Sequence, residues 1–210
     1  TAASRSGMSS HATCFNQASN SWDVSSAIIR MGMFNPPYAF SHPLSNWDVS
    51  SVTHMNQMFD GAAAFNQNLN NWDVSNVTEF TGMFSHATNF NQPLNSWDVS
   101  SANIMMGMFN HAYAFNQPLS NWDVSNVYGM AGMFDHATNF NQDLSAWDVS
   151  AGQSLQYMFN NASAFNQNLG DWTLSAVGTA AEMLSNTNLS LSNYDSTLIS
   201  WEAKTLPVGI

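Results

Sequence analysis

Asp23, Asp48, Asp73, Asp98, Asp123 and Asp148 recur every 25 residues, and carboxylates placed so regularly are the side chains of this sequence most able to do chemistry. If identical positions stacked about 4.8 Å apart, as strands do in a sheet, neighbours would repel by roughly 0.9 kcal/mol in bulk water and roughly 3.5 kcal/mol at an effective dielectric of 20. Such a column needs compensation. Ser hydroxyls or loop amides of the same and adjacent coils could donate to each carboxylate and favour its charged form. A line of hard oxygens could instead hold a cation, calcium above others, and a plain solvated acidic stripe is the third reading. Closely spaced carboxylates are also what glycosidases use, but a repeated column lacks the asymmetry that separates an acid from a base.

A second titratable column is His11, His86, His111 and His136, with His42 and His54 elsewhere. Stacked imidazoles could ligate a metal. A polar residue at the carbonyl end of a short helix is the simpler role, and no Cys partners accompany the histidines as a structural zinc site would require. Cys14 is alone, so no intramolecular disulfide can form. No Gly-rich phosphate loop, nucleophile elbow or zinc-protease helix is present. The sequence therefore predicts a protein that is not an enzyme and binds no cofactor, calcium at the Asp column being the one candidate ion.

Composition narrows the partners. Only Arg5, Arg30 and Lys204 are cationic, and the net charge is -11, so the basic patch of a nucleic-acid binder is missing. Anionic membranes are unsuitable for the same reason, no run of 18 apolar residues suggests a membrane span, and no charged-then-apolar leader opens the chain. Three patterns, Asn76-Val77-Thr78, Asn161-Ala162-Ser163 and Asn188-Leu189-Ser190, would accept a glycan in a eukaryotic secretory route.

What must position these columns is a repeat. Trp22, Trp47, Trp72, Trp97, Trp122, Trp147 and Trp172 keep the 25-residue spacing without an insertion, as do the Phe15 to Phe165 and Met8 to Met183 columns. Each repeat cannot bury its apolar residues alone, and stacking neighbours does so. Leu69, Trp72 and Val74 alternate as in a short strand, with Trp72 and Val74 inward. Val77, Phe80, Met83 and Phe84 then follow the spacing of about two helical turns. Ser25, Ser50, Ser75, Ser100, Ser125, Ser150 and Ser175 stand at the junction, where a hydroxyl caps a helix. The Met column is read as gap-filling core. The column Asn16, Asn66, Asn91, Asn116, Asn141 and Asn166 is read as satisfying turn backbone from coil to coil, with ligand binding as its alternative.

Leu44-x-x-Trp47-Asp48-Val49-Ser50-x-Val52-x-x-Met55-x-x-Met58-Phe59-x-x-Ala62-x-x-Phe65-Asn66-Gln67-x-Leu69 resembles the repeat of the BspA-like leucine-rich-repeat surface proteins, and the match extends over almost the whole chain. Asn193 to Trp201 also resembles the segment that follows the last repeat in that family, where Leu198, Ile199 and Trp201 would cover the end of the core. Departures fall near the ends: Thr173 replaces Asp, Leu184 replaces Phe, and Arg30 stands where Met55 and Met130 stand elsewhere. Sequence and resemblance together predict an α/β fold, a right-handed leucine-rich-repeat-like solenoid of about seven coils, each with one short parallel strand and one short helix. It would span residues 1–185, beginning mid-repeat, with a capping segment over 186–210.

The resemblance implies a secreted or cell-surface protein. The function expected is non-enzymatic recognition or adhesion, in which a protein or glycan binds the repeat faces, including the Asp column and variable positions such as Ile28, Thr53, Thr78, Asn103, Tyr128 and Gln153. The alternative is a self-assembling structural protein that associates end to end through an uncapped edge. A minor alternative is ice binding, suggested by a charge-poor surface rich in Asn, Ser and Thr, although no outward column is uniformly Thr.

Overall fold

Identical side chains one repeat apart lie face to face. The structure, a computed structural model, describes residues 39–204. Trp47 stacks on Trp72 at 6.3 Å, and Trp97, Trp122 and Trp147 follow one another at 6.4 Å, their planes within 4° of parallel. Phe59, Phe84, Phe109, Phe134 and Phe159 form an inner column at 5.5 to 5.6 Å. The Phe65 to Phe165 column packs beside it, 4.0 to 4.1 Å from the inner ring of the same coil. With the Leu, Val, Met and Ala columns these rings make one continuous apolar core, in which each Trp from Trp47 to Trp172 is at most 4% exposed.

Parallel contact between coils lies on one side only. His54, Glu79, Ile104, Gly129, Ser154 and Thr179 form a line of single-residue parallel bridges. Beyond each bridge, alternate N–H groups donate to the following coil: Met55 to Glu79, Gln57 to Thr81, Phe59 to Met83 and Gly61 to Ser85, at 2.7 to 2.9 Å. The same four positions repeat at every later interface, ending with Leu155, Tyr157, Phe159 and Asn161. The remaining N–H groups close local turns, as in Met58 to Met55, Asp60 to Gln57 and Ala62 to Phe59.

This geometry differs from the expected strand and helix of each repeat. Leu69, Trp72 and Val74 are buried as expected, but their segment has no strand pairing, because stacked Trp rings hold adjacent coils 6.3 to 6.4 Å apart there. Sheet ladders need about 4.7 to 4.9 Å. Where a helix is expected the chain makes consecutive turns, since two positions per coil are left-handed. One is Gln57, Gly82, Gly107, Gly132, Tyr157 and Glu182, and the other is Gly61, His86, His111, His136, Asn161 and Asn186, with φ between 56° and 73°. An α-helix cannot pass through such residues. Successive three-residue turns return apolar side chains inward at nearly the helical spacing, which is why the two patterns look alike in sequence. Ser50, Ser75, Ser100, Ser125, Ser150 and Ser175 therefore cap no helix, and Ser25 lies outside the described residues.

Among the described residues one helix, α1, spans Leu191–Glu202, capped by the Ser190 hydroxyl, which accepts from the Asn193 amide. It lies in the segment expected to cap the repeats and reproduces contacts that a further coil would make. Indole Nε1–H groups of Trp72, Trp97, Trp122, Trp147 and Trp172 donate to the Leu carbonyl 28 residues earlier at 2.9 to 3.2 Å. Trp201 on α1 donates to Leu169 O in the same way at 3.0 Å. Asn193 takes the place of the Gln residues that bind the Asn column, donating to Asn166 Oδ1 and O. Gly170 permits this approach, since a Cβ there would lie 2.7 Å from Ser200 Oγ. Among the described residues no helix is long and apolar enough to cross a membrane.

Two substitutions test this architecture. Trp97→Ala removes a stacked ring and the donor to Leu69 O, and should cost about 3 to 5 kcal/mol in denaturant unfolding. Gly107→Ala meets no close atom but sits at φ +59, so it should cost roughly 1 to 2 kcal/mol from conformation alone.

Candidate functional site: the acidic edge and the bridged face

The carboxylates of Asp48, Asp73, Asp98, Asp123 and Asp148 are exposed and held within their own coils. Each Oδ1 accepts from the amide of the Ser two residues on at 2.9 to 3.1 Å. For Asp48, Asp73, Asp98 and Asp123 it also accepts from that Ser hydroxyl, at 2.6 Å. The Ser100 hydroxyl, then its amide, holds the Asp98 carboxyl below the usual carboxylate range, and Ser150 does the same for Asp148. Because this column adjoins the Trp edge, successive coils are spaced there by 6.3 to 6.4 Å and not 4.8 Å, which weakens the like-charge repulsion. Asp23, like His11 and Ile28, lies outside the described residues.

The Asn column works between coils. Oδ1 of Asn66, Asn91, Asn116 and Asn141 accepts from the backbone N–H of the next Asn at 2.8 to 3.0 Å and from the neighbouring Gln Nε2 at 2.8 to 3.0 Å. The Oδ1 atoms of this column are thus tied to the stack.

His86, His111 and His136 stack at 4.5 and 4.2 Å, nearly parallel. Each sits at a left-handed turn position, not at a helix end, and its Nδ1 shares a hydrogen bond with the preceding side chain, Ser85, Asn110 or Asp135. Burial lowers the His111 pKa, with further lowering from His136 and His86 and opposition from Asp135. Among the described residues no group of three or more His, Cys, Asp or Glu side chains is arranged to hold a metal ion.

On the bridged face the repeats diverge. Thr53, Thr78, Asn103, Tyr128 and Gln153 form one outward column and His54, Glu79, Ile104, Gly129 and Ser154 the next. Its first coils are polar: Asn56 Nδ2 donates to Glu79 Oε2 at 2.8 Å, and His54 Nε2 lies 3.6 Å from Glu79 Oε1. Its middle is apolar. Met106, Tyr128 and Tyr157 are 41 to 42% exposed, and Ile104 and Met106 close over Gly129, where a Cβ would meet Ile104 Cγ2 at 3.2 Å. Stacking distances widen from 4.2 to 4.5 Å in the His column, through 5.5 Å in the inner Phe column, to 6.4 Å at Trp. For near-identical coils this is the local displacement, so the stack bends with the bridged face on the concave side.

Residues 3–122 and 95–197 each match the family described as Mycoplasma protein of unknown function, DUF285. The chain belongs to the DUF285 family. The two overlapping matches reflect its repeats. No curated protein and no solved structure matches the chain. Of the residues singled out from this DUF285 sequence, Tyr128 and Gln153 stand exposed on the bridged face, while Thr53, Thr78 and Asn103 are half-buried on it. The Asp column occupies a different edge. Ile104, Met106, Gly129 and Tyr157 are added by the structure; the signal for them was the chemical divergence of their columns amid near-constant neighbours.

Two measurements probe the titratable columns. Because its folded pKa is lowered, Asp98 contributes stability that is present above the unfolded carboxylate pKa and lost as pH falls through the folded value. Ser100→Ala should raise the Asp98 pKa toward 3.8 in an NMR titration, while a chelator leaves the melting temperature unchanged. For His111, a base whose folded pKa is lowered from 6.5, stability is full above that value and falls as pH drops through it. His111→Asn should flatten the decline in melting temperature measured from pH 7 to pH 5.

Proposed function

We propose that this protein is a non-enzymatic recognition module, secreted or displayed at a cell surface, that binds a protein or glycan through the concave bridged face of a leucine-rich-repeat-like solenoid. The observation carrying this reading is where the repeats differ. From coil to coil the Trp-Asp-Val-Ser edge is nearly constant, whereas the columns of Thr53, His54 and Asn56 range through Glu79, Ile104, Met106, Tyr128, Gly129 and Gln156. Absence of constraint would account for variation, but not for Met106, Tyr128 and Tyr157 held at 41 to 42% exposure on a charge-poor surface. Exposed apolar patches ringed by polar groups mark interaction sites. The BspA-like resemblance supplies the surface context. Whole-coil, end-to-end assembly is disfavoured at the C-terminal end, because α1 already holds Leu169 O and Asn166.

The test is a screen of glycan and extracellular-protein arrays, followed by substitution on the ligand found. Tyr128→Ala combined with Met106→Ala should weaken binding at least tenfold, as central interface residues do, with the melting temperature nearly unchanged. Removing one 25-residue repeat that includes Tyr128 should weaken it further. Binding that survives both changes would overturn the bridged-face reading, as would turnover of a substrate.

A further inference from the structure

The last coil has a half-finished end. At every earlier interface four N–H groups per coil donate forward, and in the last coil the corresponding donors are Ala180, Glu182, Leu184 and Asn186. None of these four backbone N–H groups donates a hydrogen bond. Glu182 and Asn186 are exposed and the other two half-buried, so the row is open to an incoming acceptor. They also terminate columns of peptide dipoles that all point the same way, which favours acceptor groups at this end as aligned dipoles do at a helix N-terminus.

α1 covers the other half of the same end. Trp201, Asn193 and Ser190 complete the Trp and Asn ladders. Between the helix and the open row lies a cleft of about 330 Å³ lined by Ala180, Met183, Leu184, Tyr194, Leu198 and Trp201, together with Glu182 and Ser185. On its rim Tyr194 is 45% and Leu198 41% exposed. Thus one end of the molecule offers four parallel donors beside an apolar slot, and a whole coil cannot be laid there because α1 occupies half of its footprint.

We propose that this end binds a single polypeptide strand of the repeat's own bridge-segment type, donated by another polypeptide. The complementarity continues the coil-to-coil interface already inside the chain. Carbonyls at Glu79, Thr81, Met83 and Ser85 receive the four donors of the preceding coil, so a segment of that pattern would present four carbonyls in the right register. Its inward Phe and Met side chains would enter the slot beside Leu198. A left-handed residue is needed at its fourth position, met in that segment by Gly82 at φ +60. Strand addition of this kind draws affinity from main-chain bonds and specificity from alternate side chains.

The probe is the acetylated, amidated peptide with the sequence of residues 79–86, Glu-Phe-Thr-Gly-Met-Phe-Ser-His, titrated into the isotope-labelled intact chain. At saturation the amides of Ala180, Glu182, Leu184 and Asn186 should shift and exchange with solvent at least tenfold more slowly. Ala180→Pro deletes one donor that no internal bond uses, and Leu198→Ser alters the exposed wall of the slot. Each should weaken the peptide at least tenfold, and the same peptide with Pro in place of the glycine should not bind. Free exchange of the four amides in the presence of peptide would overturn the proposal. Affinity unchanged from the parent chain in both variants, or self-association in which the α1 contacts of Trp201 are lost, would overturn it too.

Discussion

Every second peptide between the bridge residue and the Ala column is turned along the stack, N–H toward the next coil and C=O toward the previous one. The rest of the molecule is arranged around that alignment. Four such peptides per coil satisfy backbone groups that would otherwise be buried without partners, and they do so only if each coil has the same length as its neighbours. The peptides in between have no neighbour to reach and close into tight turns, which places two residues per coil in the left-handed region. Glycine meets that demand at Gly61, Gly82, Gly107 and Gly132. His, Asn, Gln, Tyr and Glu meet it elsewhere, at a conformational cost offset by the bonds it makes available. Register, turn type and side-chain ladders are consequences of one orientation of the peptide plane.

The opposite edge is held by side chains. There the indole Nε1–H replaces a backbone donor, and Leu44 O accepts both the Trp47 amide and the Trp72 indole at 3.0 and 3.2 Å. A flat ring column is thicker than a strand ladder, so the coils are wider apart on this edge and the stack bends. The same spread relieves the acidic column, whose members are each satisfied by a local Ser turn and not by each other. Asn and Gln amides carry the bonds between coils without charge, which lets a motif repeat along the stack without accumulating repulsion.

Much of this was legible in the residues. Equal spacing of Trp, Phe, Met and Leu announced ladders and an apolar core, the Asn column was readable as backbone support, and Ser beside Asp was readable as its hydrogen-bond partner. The local conformation was not. Val77, Phe80, Met83 and Phe84 fit two helical turns as well as they fit a run of tight turns, and periodicity alone cannot separate the two. The discriminating signal was Gly82, Gly107 and Gly132 in the middle of the supposed helix, where glycine is unfavourable. Stacking at the Trp edge removed the expected strand for a reason of size that residue types do not state. The apolar middle of the bridged face was obscured because its members, Ile104, Met106, Tyr128 and Tyr157, come from four different columns, and Ile104 and Met106 come together over Gly129 only when the coils are laid together.

The two edges also differ in what a mutation can do to them, and that difference bears on function. At the Trp edge the side chain is itself the bond between coils, so Trp97 or Asn91 cannot be exchanged without losing a contact in the stack. On the bridged face the backbone makes the bond and the side chain points outward, so Glu79, Ile104, Gly129 and Ser154 can follow one another in a single column while the bridges between them stay formed. Gly129 shows the one limit: a larger residue there must displace Ile104 or Met106. A scaffold whose cohesion is independent of its outward side chains on one face, and dependent on them on the other, confines chemical diversity to the face that can carry it. That is the physical condition the recognition role proposed above would require.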